Sequence, residues 1–382
     1  MERPFESSVL VPTRGTLFDA AVLGAGPAGA AAALFLARAG HRVLVAEPRG
    51  VSAPPKPCGE GLMAGGVEVL RALGLEELLE AGLPFEQVSF VGRWGARLDL
   101  PLPSPGLAIE RDALDRALRA ALEAAPGITW FPGRLQARAQ AGGGFLLRGG
   151  AAPLRARAVV LATGLAGTGL SELPSRGWAR QRMGVRRHHL AGARPLSGVE
   201  VHGTAVGELY LTPLPQGRVN LAWLGPRACT RPEQQLEAAL AAAPVVAAAL
   251  GPALGCAGAR RLGAAPRREV AGAGWFLAGD AAAGLDPLLG AGVTIALTTG
   301  QSAAHAVELA IGGRLEAARA GHTRRVRAEV RHRALLADGL LALGDHPVLR
   351  EGALRVLRAV PPMRHALTRL AQGPGVLQGA SS

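Results

Sequence analysis

Residues 17–48 read LFDAAVLGAGPAGAAAALFLARAGHRVLVAEP. The run LFDAAVL (17–23) is short and apolar, as a strand covered on both faces of a parallel sheet must be. GAGPAG follows at 24–29, then AAAALFLARAG with helical character ending at Gly40, then a second buried strand, HRVLVAEP (41–48). Strand, glycine-rich turn, helix and strand make a βαβ unit, which predicts an α/β fold. Gly24, Gly26 and Gly29 match the spacing G-x-G-x-x-G. The first permits the tight turn, the second lets the backbone approach a pyrophosphate, and the third lets the helix pack close on the strand. The helix start then offers free N–H groups and the positive end of its dipole. Glu47, at the end of the second strand, stands where a carboxylate binds adenosine ribose hydroxyls. Nothing else in the chain repeats the fingerprint, and GLAGTG (164–169) has the wrong spacing. One fingerprint implies one tightly held dinucleotide, either NAD(P) or FAD.

A second stretch chooses between them. In FLAGDAAAGLDPLLGAGV (276–293) an apolar strand ends at Gly279-Asp280, a second acid, Asp286, precedes Pro287, and Gly290-Ala291-Gly292 opens a helix. This pattern resembles the second flavin-binding motif of the FAD-dependent monooxygenases related to p-hydroxybenzoate hydroxylase, and equally that of the geranylgeranyl reductases. KPCGEGL (56–62) is similar to the reductases' Cys-Gly-x-Gly loop, and ATG (162–164) to the turn after a strand in the family. Arg111, in IERDALDRAL, stands where the family has an arginine that contacts the FAD phosphate or ribityl region. The resemblance implies a Rossmann-like FAD-binding domain, three-layered with a mostly parallel sheet, an inserted mostly β substrate lobe and a C-terminal helical segment. It assigns Asp280 to the ribityl hydroxyls and Pro287 to stiffening the chain beside the ring. It aims the helix starting near Gly292 at the N1–C2=O edge of the flavin. Carried over residue by residue, the FAD-binding set is Gly24, Gly26, Ala28, Gly29, Glu47, Cys58, Gly59, Gly61, Arg111, Leu135, Asp280, Pro287, Gly290, Gly292 and Val293.

The activity the resemblance implies is that of an FAD-dependent monooxygenase in secondary metabolism. NAD(P)H is its transient reductant, molecular oxygen its co-substrate by way of a C4a-hydroperoxide, and an aromatic or quinone-like hydrophobic small molecule its substrate. The alternative is an ene-reductase of an isoprenoid lipid, like the geranylgeranyl reductases, and a third reading is a non-catalytic FAD-binding module. Flavin chemistry asks the protein mainly to exclude water and hold the substrate. Four residues are candidates for more than packing. Cys58 is a loop thiol in the Cys-Gly-x-Gly segment. His188, beside His189, faces one side of a strand while its neighbour faces the other. Tyr210 is the only tyrosine, and Asp286 either relays protons or fixes the turn before Pro287. Arg49 either stacks on adenine or faces solvent.

Composition sets the frame. With 382 residues the chain suits two domains, or one with an inserted lobe. The expected pieces are a discontinuous FAD-binding domain (17–83, 107–172 and 262–313), a substrate lobe (84–106 and 173–261) and C-terminal helices (314–372). The most apolar stretch, LEAALAAAPVVAAALGPALG (236–255), contains a Glu, prolines and glycines and reads as Ala-rich helices in water. The start, MERPFESSVL, lacks a basic-then-apolar signal pattern, so the expected location is the cytoplasm. Cys58, Cys229 and Cys256 form no disulfide framework and no CxxC zinc pair. The net charge of +13 is almost all arginine, Lys56 being the only lysine. Such a charge serves as a solvated surface, or attracts an anionic cofactor, an acidic substrate or a membrane surface. Nucleic acid is disfavoured, because the basic residues are not interleaved with aromatics. The Arg/Leu pattern of the C-terminal helices suits a pocket cap, a partner contact or peripheral membrane contact.

Overall fold

The structure is a computed structural model; it describes residues 16–48, 56–166, 169–173, 180–226, 229–264, 269–286, 290–344, 346–360, 362–363 and 366–368. The chain opens with β1 (Leu17–Leu23), α1 (Pro27–Arg38) and β2 (Val43–Ala46), with β1 and β2 parallel. Ala30, Ala31, Ala32 and Ala33 of α1 are fully buried, so the helix lies close to the sheet on one side and to a second helix on the other. A short β3 (Gly61–Leu62) opens a second sheet, and after α2 (Ala64–Ala72) and α3 (Glu76–Glu80) the chain adds β4 (Leu83–Val91) and β5 (Arg97–Ala108) to it. It returns through α4 (Arg111–Ala124) to β6 (Ile128–Phe131), β7 (Gln136–Ala139), β8 (Phe145–Arg148) and β9 (Leu154–Leu161). Then β10 (Arg180–Ala191), β11 (Val199–Thr204), β12 (Gly207–Leu214) and β13 (Arg218–Pro226) build the second sheet. The helices α5 (Pro232–Ala241) and α6 (Pro244–Ala247) follow, and β14 (Leu250–Ala264) forms the edge of that sheet. The chain ends with β15 (Trp275–Leu277), α7 (Asp280–Ala283), α8 (Gly292–Ile311), α9 (Leu315–Gly344) and α10 (Pro347–Ala359).

The first sheet has the order β6-β2-β1-β9-β8-β7. Its strands β6, β2, β1 and β9 are parallel, and β15 adds to β9 in the same sense. One edge of β9 serves two neighbours: β8 pairs antiparallel with its first half and β15 parallel with its last three residues. The sheet is therefore Rossmann-like where the glycine-rich turn lies. One face packs against α1, α4 and α8; the other carries Phe18, Leu44, Phe145 and Leu147 with α7 and Val326 of α9. Burial on both faces is what the continuous apolar strands require.

The second sheet has the order β14-β10-β13-β12-β11-β4-β5-β3 and is antiparallel except between β11 and β4. Side chains alternate across it. Leu209, Leu211, Leu221 and Trp223 pack under α5 and α6, whereas Tyr210, Leu214, Ala222 and Leu224 pack with Met63, Phe85 and Leu354 of α10.

The structure departs from expectation in places. The stretch 236–255 is not helical throughout: helix ends at Ala247 and β14 starts at Leu250. Gly251, Pro252 and Gly255 disfavour continuing the helix, and β10 offers an edge that satisfies the backbone instead. The expected piece boundaries at 84, 106 and 261 fall inside β4, β5 and β14. The C-terminal helices do not stand apart, since α9 packs on α8 and α10 on β5. Among the described residues, no helix is long and apolar enough to cross a membrane.

Candidate functional site

The turn after β1 is shaped by sterics. Gly24 has φ +103°, and a Cβ there would overlap the Ala162 carbonyl at the end of β9. A Cβ on Gly29 would overlap the carbonyl oxygen of Gly24 itself. Gly26 differs: nothing lies within 4 Å of where its Cβ would stand. Two glycines are thus required by protein packing and the third by space left open. The Ala25 N–H donates to Glu47 Oε2 at 3.0 Å, tying the end of β2 to the turn. Among the described residues no side chain caps α1, which leaves its first N–H groups available to a ligand.

A second strand-to-helix junction lies beside the first. After β15, Gly279 takes φ +62°, and its N–H donates to Thr299 Oγ1 at 2.9 Å. The helices α1 and α8 cross where Gly300 faces Ala28, so closely that a Cβ on Gly300 would overlap the Ala28 carbonyl. A Cβ on Gly279 would stand 2.9 Å from that of Ala28. This small-residue contact sets the two junctions side by side. Among the described residues, no side chain caps the start of α8, and its first turn carries no acid.

Both junctions line one cavity of about 870 Å³, within the usual range for a small-molecule site. Gly24, Gly26, Ala28 and Glu47 contribute from the first junction; Asp280, Asp286, Gly290, Gly292 and Val293 contribute from the second. Cys58, Gly59, Arg111 and Leu135 complete the overlap with the expected set. Five lining glycines (Gly26, Gly59, Gly164, Gly290 and Gly292) have open space where a Cβ would stand, so backbone meets the cavity directly. Lys56, Arg111, Arg134 and Arg148 bring positive charge to it. An elongated, flat, anionic ligand held against backbone fits this lining, and FAD has that shape and charge.

The loop carrying Cys58 is latched to the second sheet. The buried Glu60 carboxylate receives Arg186 Nη1 at 2.5 Å, the Arg111 backbone N–H at 2.8 Å and His188 Nε2 at 2.7 Å. Arg186 also donates to Asp112 at 2.7 Å. Thr212 Oγ1 donates to the Gly59 carbonyl at 2.6 Å, and Asn220 Nδ2 to the Cys58 carbonyl at 2.9 Å. Glu60 has φ +59°, which costs a non-glycine residue about 1 kcal/mol and is sustained here by these contacts. Burial pushes the Cys58 thiol pKa up, more than the nearby Arg111 guanidinium pulls it down.

Some expected site residues lie elsewhere. Gly29 does not line the cavity; its role is the packing of α1 on the turn. Gly61 is paired with Ala108, and a Cβ on it would face Val199 and Phe85 rather than the cavity. His188 is engaged with Glu60 and does not line the cavity. Tyr210 is buried in the core of the second sheet, and desolvation, with Glu208 and Asp286, raises its phenol pKa well above the usual value. Arg182 joins this group, pairing with Glu208 and reaching Asp286 Oδ1 at 3.4 Å. Pro287 and Arg49 lie outside the described residues. Glu60, Arg186, Thr212 and Asn220 were not among the expected site residues; the one local signal was a carboxylate between the glycines of KPCGEGL. Among the described residues, no group of His, Cys, Asp or Glu comes together as a metal site.

Residues 18–145 match the FAD binding domain family. The menaquinone reductase of Mycolicibacterium smegmatis is 30% identical over 330 residues, covering 76% of this chain and 76% of that protein. Among solved structures, the flavin-dependent brominase Bmp2 superposes with a TM-score of 0.75 at 20% identity, over 94% of each chain. The p-nitrophenol 4-monooxygenase PnpA of Pseudomonas putida gives a TM-score of 0.75 at 16% identity, over 94% of this chain and 99% of that one.

Proposed function

Because this chain belongs to the family of FAD-dependent oxidoreductases that includes the menaquinone reductase of Mycolicibacterium smegmatis, we propose that it reduces a carbon–carbon double bond in the isoprenoid part of a hydrophobic quinone. FAD is its cofactor, and NAD(P)H is the reductant typical of the family. In this reading the Gly24–Gly29 turn and the start of α1 hold the pyrophosphate, and Glu47 the adenosine ribose. Asp280 would hold the ribityl hydroxyls, and the start of α8 would favour the negative charge that a bound flavin gains on reduction.

Saturating a double bond adds a hydride to one carbon and a proton to the other. Bound FAD, once reduced, supplies the hydride. The proton is the protein's task, and the observation that carries this reading is Cys58: a thiol lining the cavity that burial keeps in its protonated form. Arg111 lies close enough to stabilise the thiolate left behind. The Glu60 latch holds the loop so that Sγ keeps one position.

The test is a Cys58→Ala variant given NAD(P)H and a short-chain isoprenoid quinone. We expect flavin content and flavin reduction to persist while formation of the saturated product falls about 100-fold or more. Unchanged product formation removes Cys58 from the mechanism. Monooxygenation of an aromatic or quinone-like substrate is the second reading, favoured by the fold shared with the p-nitrophenol 4-monooxygenase. Oxygen consumed in step with substrate, and an oxygen atom gained by the product, would replace the first reading with the second.

A further inference from the structure

The helix α10 has two unlike sides. Inward, Glu351 accepts hydrogen bonds from the Trp94 N–H at 2.7 Å and the Ala96 N–H at 3.0 Å, both in the turn between β4 and β5. Leu354 is buried with Phe85, Phe90 and Tyr210 of the second sheet. Outward, Val348, Gly352 and Val356 recur at a spacing of four, with Leu349 and Ala359 beside them. Val348, Leu349 and Val356 are each more than half exposed, and so is Trp94 on the turn that Glu351 holds against the helix. Met363, just past the end of α10, is also exposed. Arg93, next to Trp94 in the chain, and Arg355, next to Val356, are exposed, as is Arg358 near the end of the helix. The only acid in α10 is Glu351, which is buried and committed inward.

We propose that this surface docks on an anionic phospholipid bilayer. A short apolar helix side flanked in sequence by arginines, with a tryptophan at its rim and no exposed acid, matches the headgroup–acyl boundary of such a bilayer in both polarity and charge. The net charge of +13 adds long-range attraction to the same surface. The consequence for catalysis rests on the quinone reading above. The inner side of α10 roofs the second sheet over Tyr210, so docking sets the substrate lobe against the phase in which an isoprenoid quinone dissolves.

Flotation of the FAD-loaded full chain with vesicles tests this. Phosphatidylcholine vesicles containing phosphatidylglycerol should carry the protein up. Pure phosphatidylcholine vesicles should not, and high salt should release it. The pairs Val348→Ser with Val356→Ser, and Arg355→Glu with Arg358→Glu, should each lower the bound fraction about tenfold, with flavin content and thermal melting unchanged. Wild-type protein that stays off phosphatidylglycerol vesicles overturns the proposal, as do variants that bind like wild type. It is equally overturned if the strip holds a dimer that these variants dissociate and no vesicle binding occurs. A chain that reduces a detergent-dispersed quinone but ignores the vesicles loses the docking surface alone. One that floats but reduces no quinone loses the functional reading alone.

Discussion

The two strand-to-helix junctions reach the same cavity by different physical means. At the first, β1, turn and α1 are contiguous, and overlap of a Cβ at Gly24 or Gly29 with nearby backbone sets the geometry. At the second, Gly279 and Asp286 are placed by distant partners: Thr299 of α8 on Gly279, the close α8–α1 contact of Gly300 with Ala28, and Arg182 of β10 on Asp286. The flanking Leu277 carbonyl is held by His322 of α9. The first junction is encoded mostly by contiguous chain, with the Ala162 carbonyl as its one distant constraint, and the second is assembled by the tertiary fold.

Two substitutions in the first junction break the comparison most sharply. Gly29→Val should destabilise by more than about 4 kcal/mol and give little soluble protein, because its side chain meets backbone. Gly26→Val should leave the melting temperature of the apoprotein nearly unchanged while abolishing the flavin absorbance near ~450 nm, because only the cavity is filled. Equal behaviour of the two would mean that Gly26 does not face a ligand. Next in size, Gly300→Val should cost about 3 kcal/mol in denaturant unfolding and lower flavin content as well, since it drives α8 away from Ala28. Retained flavin would show that the α1–α8 contact does not place the second junction.

A titratable pin gives a smaller effect. His322 is buried, bonded to Ser302 Oγ at 2.9 Å and to the Leu277 carbonyl at 2.8 Å, and its pKa is lowered to about 4, chiefly by burial. The hydrogen bond to a carbonyl requires Nε2–H, so the neutral ring is the one that fits. Above the unfolded value of 6.5 both states are neutral and the full stability is present. As pH falls from there through about 4, the unfolded chain gains the proton first, and on the order of 3 kcal/mol is lost. Unfolding measured across that window should show a shallower loss for His322→Gln than for wild type.

The contrast also explains what the sequence made legible. The βαβ unit and its glycines declare themselves because the spacing pattern lies within about 30 residues, although the Ala162 carbonyl that Gly24 must clear belongs to a strand much later in the chain. The second motif was visible as a pattern, yet its partners Thr299 and Arg182 were not, since nothing local marks them. The Glu60 latch joins residues more than a hundred positions apart, a pairing that only the second sheet creates. Tyr210 was a candidate because it lies in the strand read as lining the pocket; it is buried in the core of the second sheet with Leu354 of α10, close enough to Glu208 and Asp286 for their charges to raise its pKa. The segment from Leu250 was read as helix from its alanines, where a neighbouring strand edge decided otherwise.

The central claim is that both junctions grip one FAD, the first by its ADP half and the second by its flavin half. Titrating the apoprotein with FAD and separately with ADP tests it most directly. Asp280→Ala should weaken FAD binding by about 10- to 100-fold and leave ADP binding unchanged. Gly26→Val should weaken both. If Asp280→Ala weakened neither ligand, or both alike, the second junction would not hold the flavin half and the account would fail.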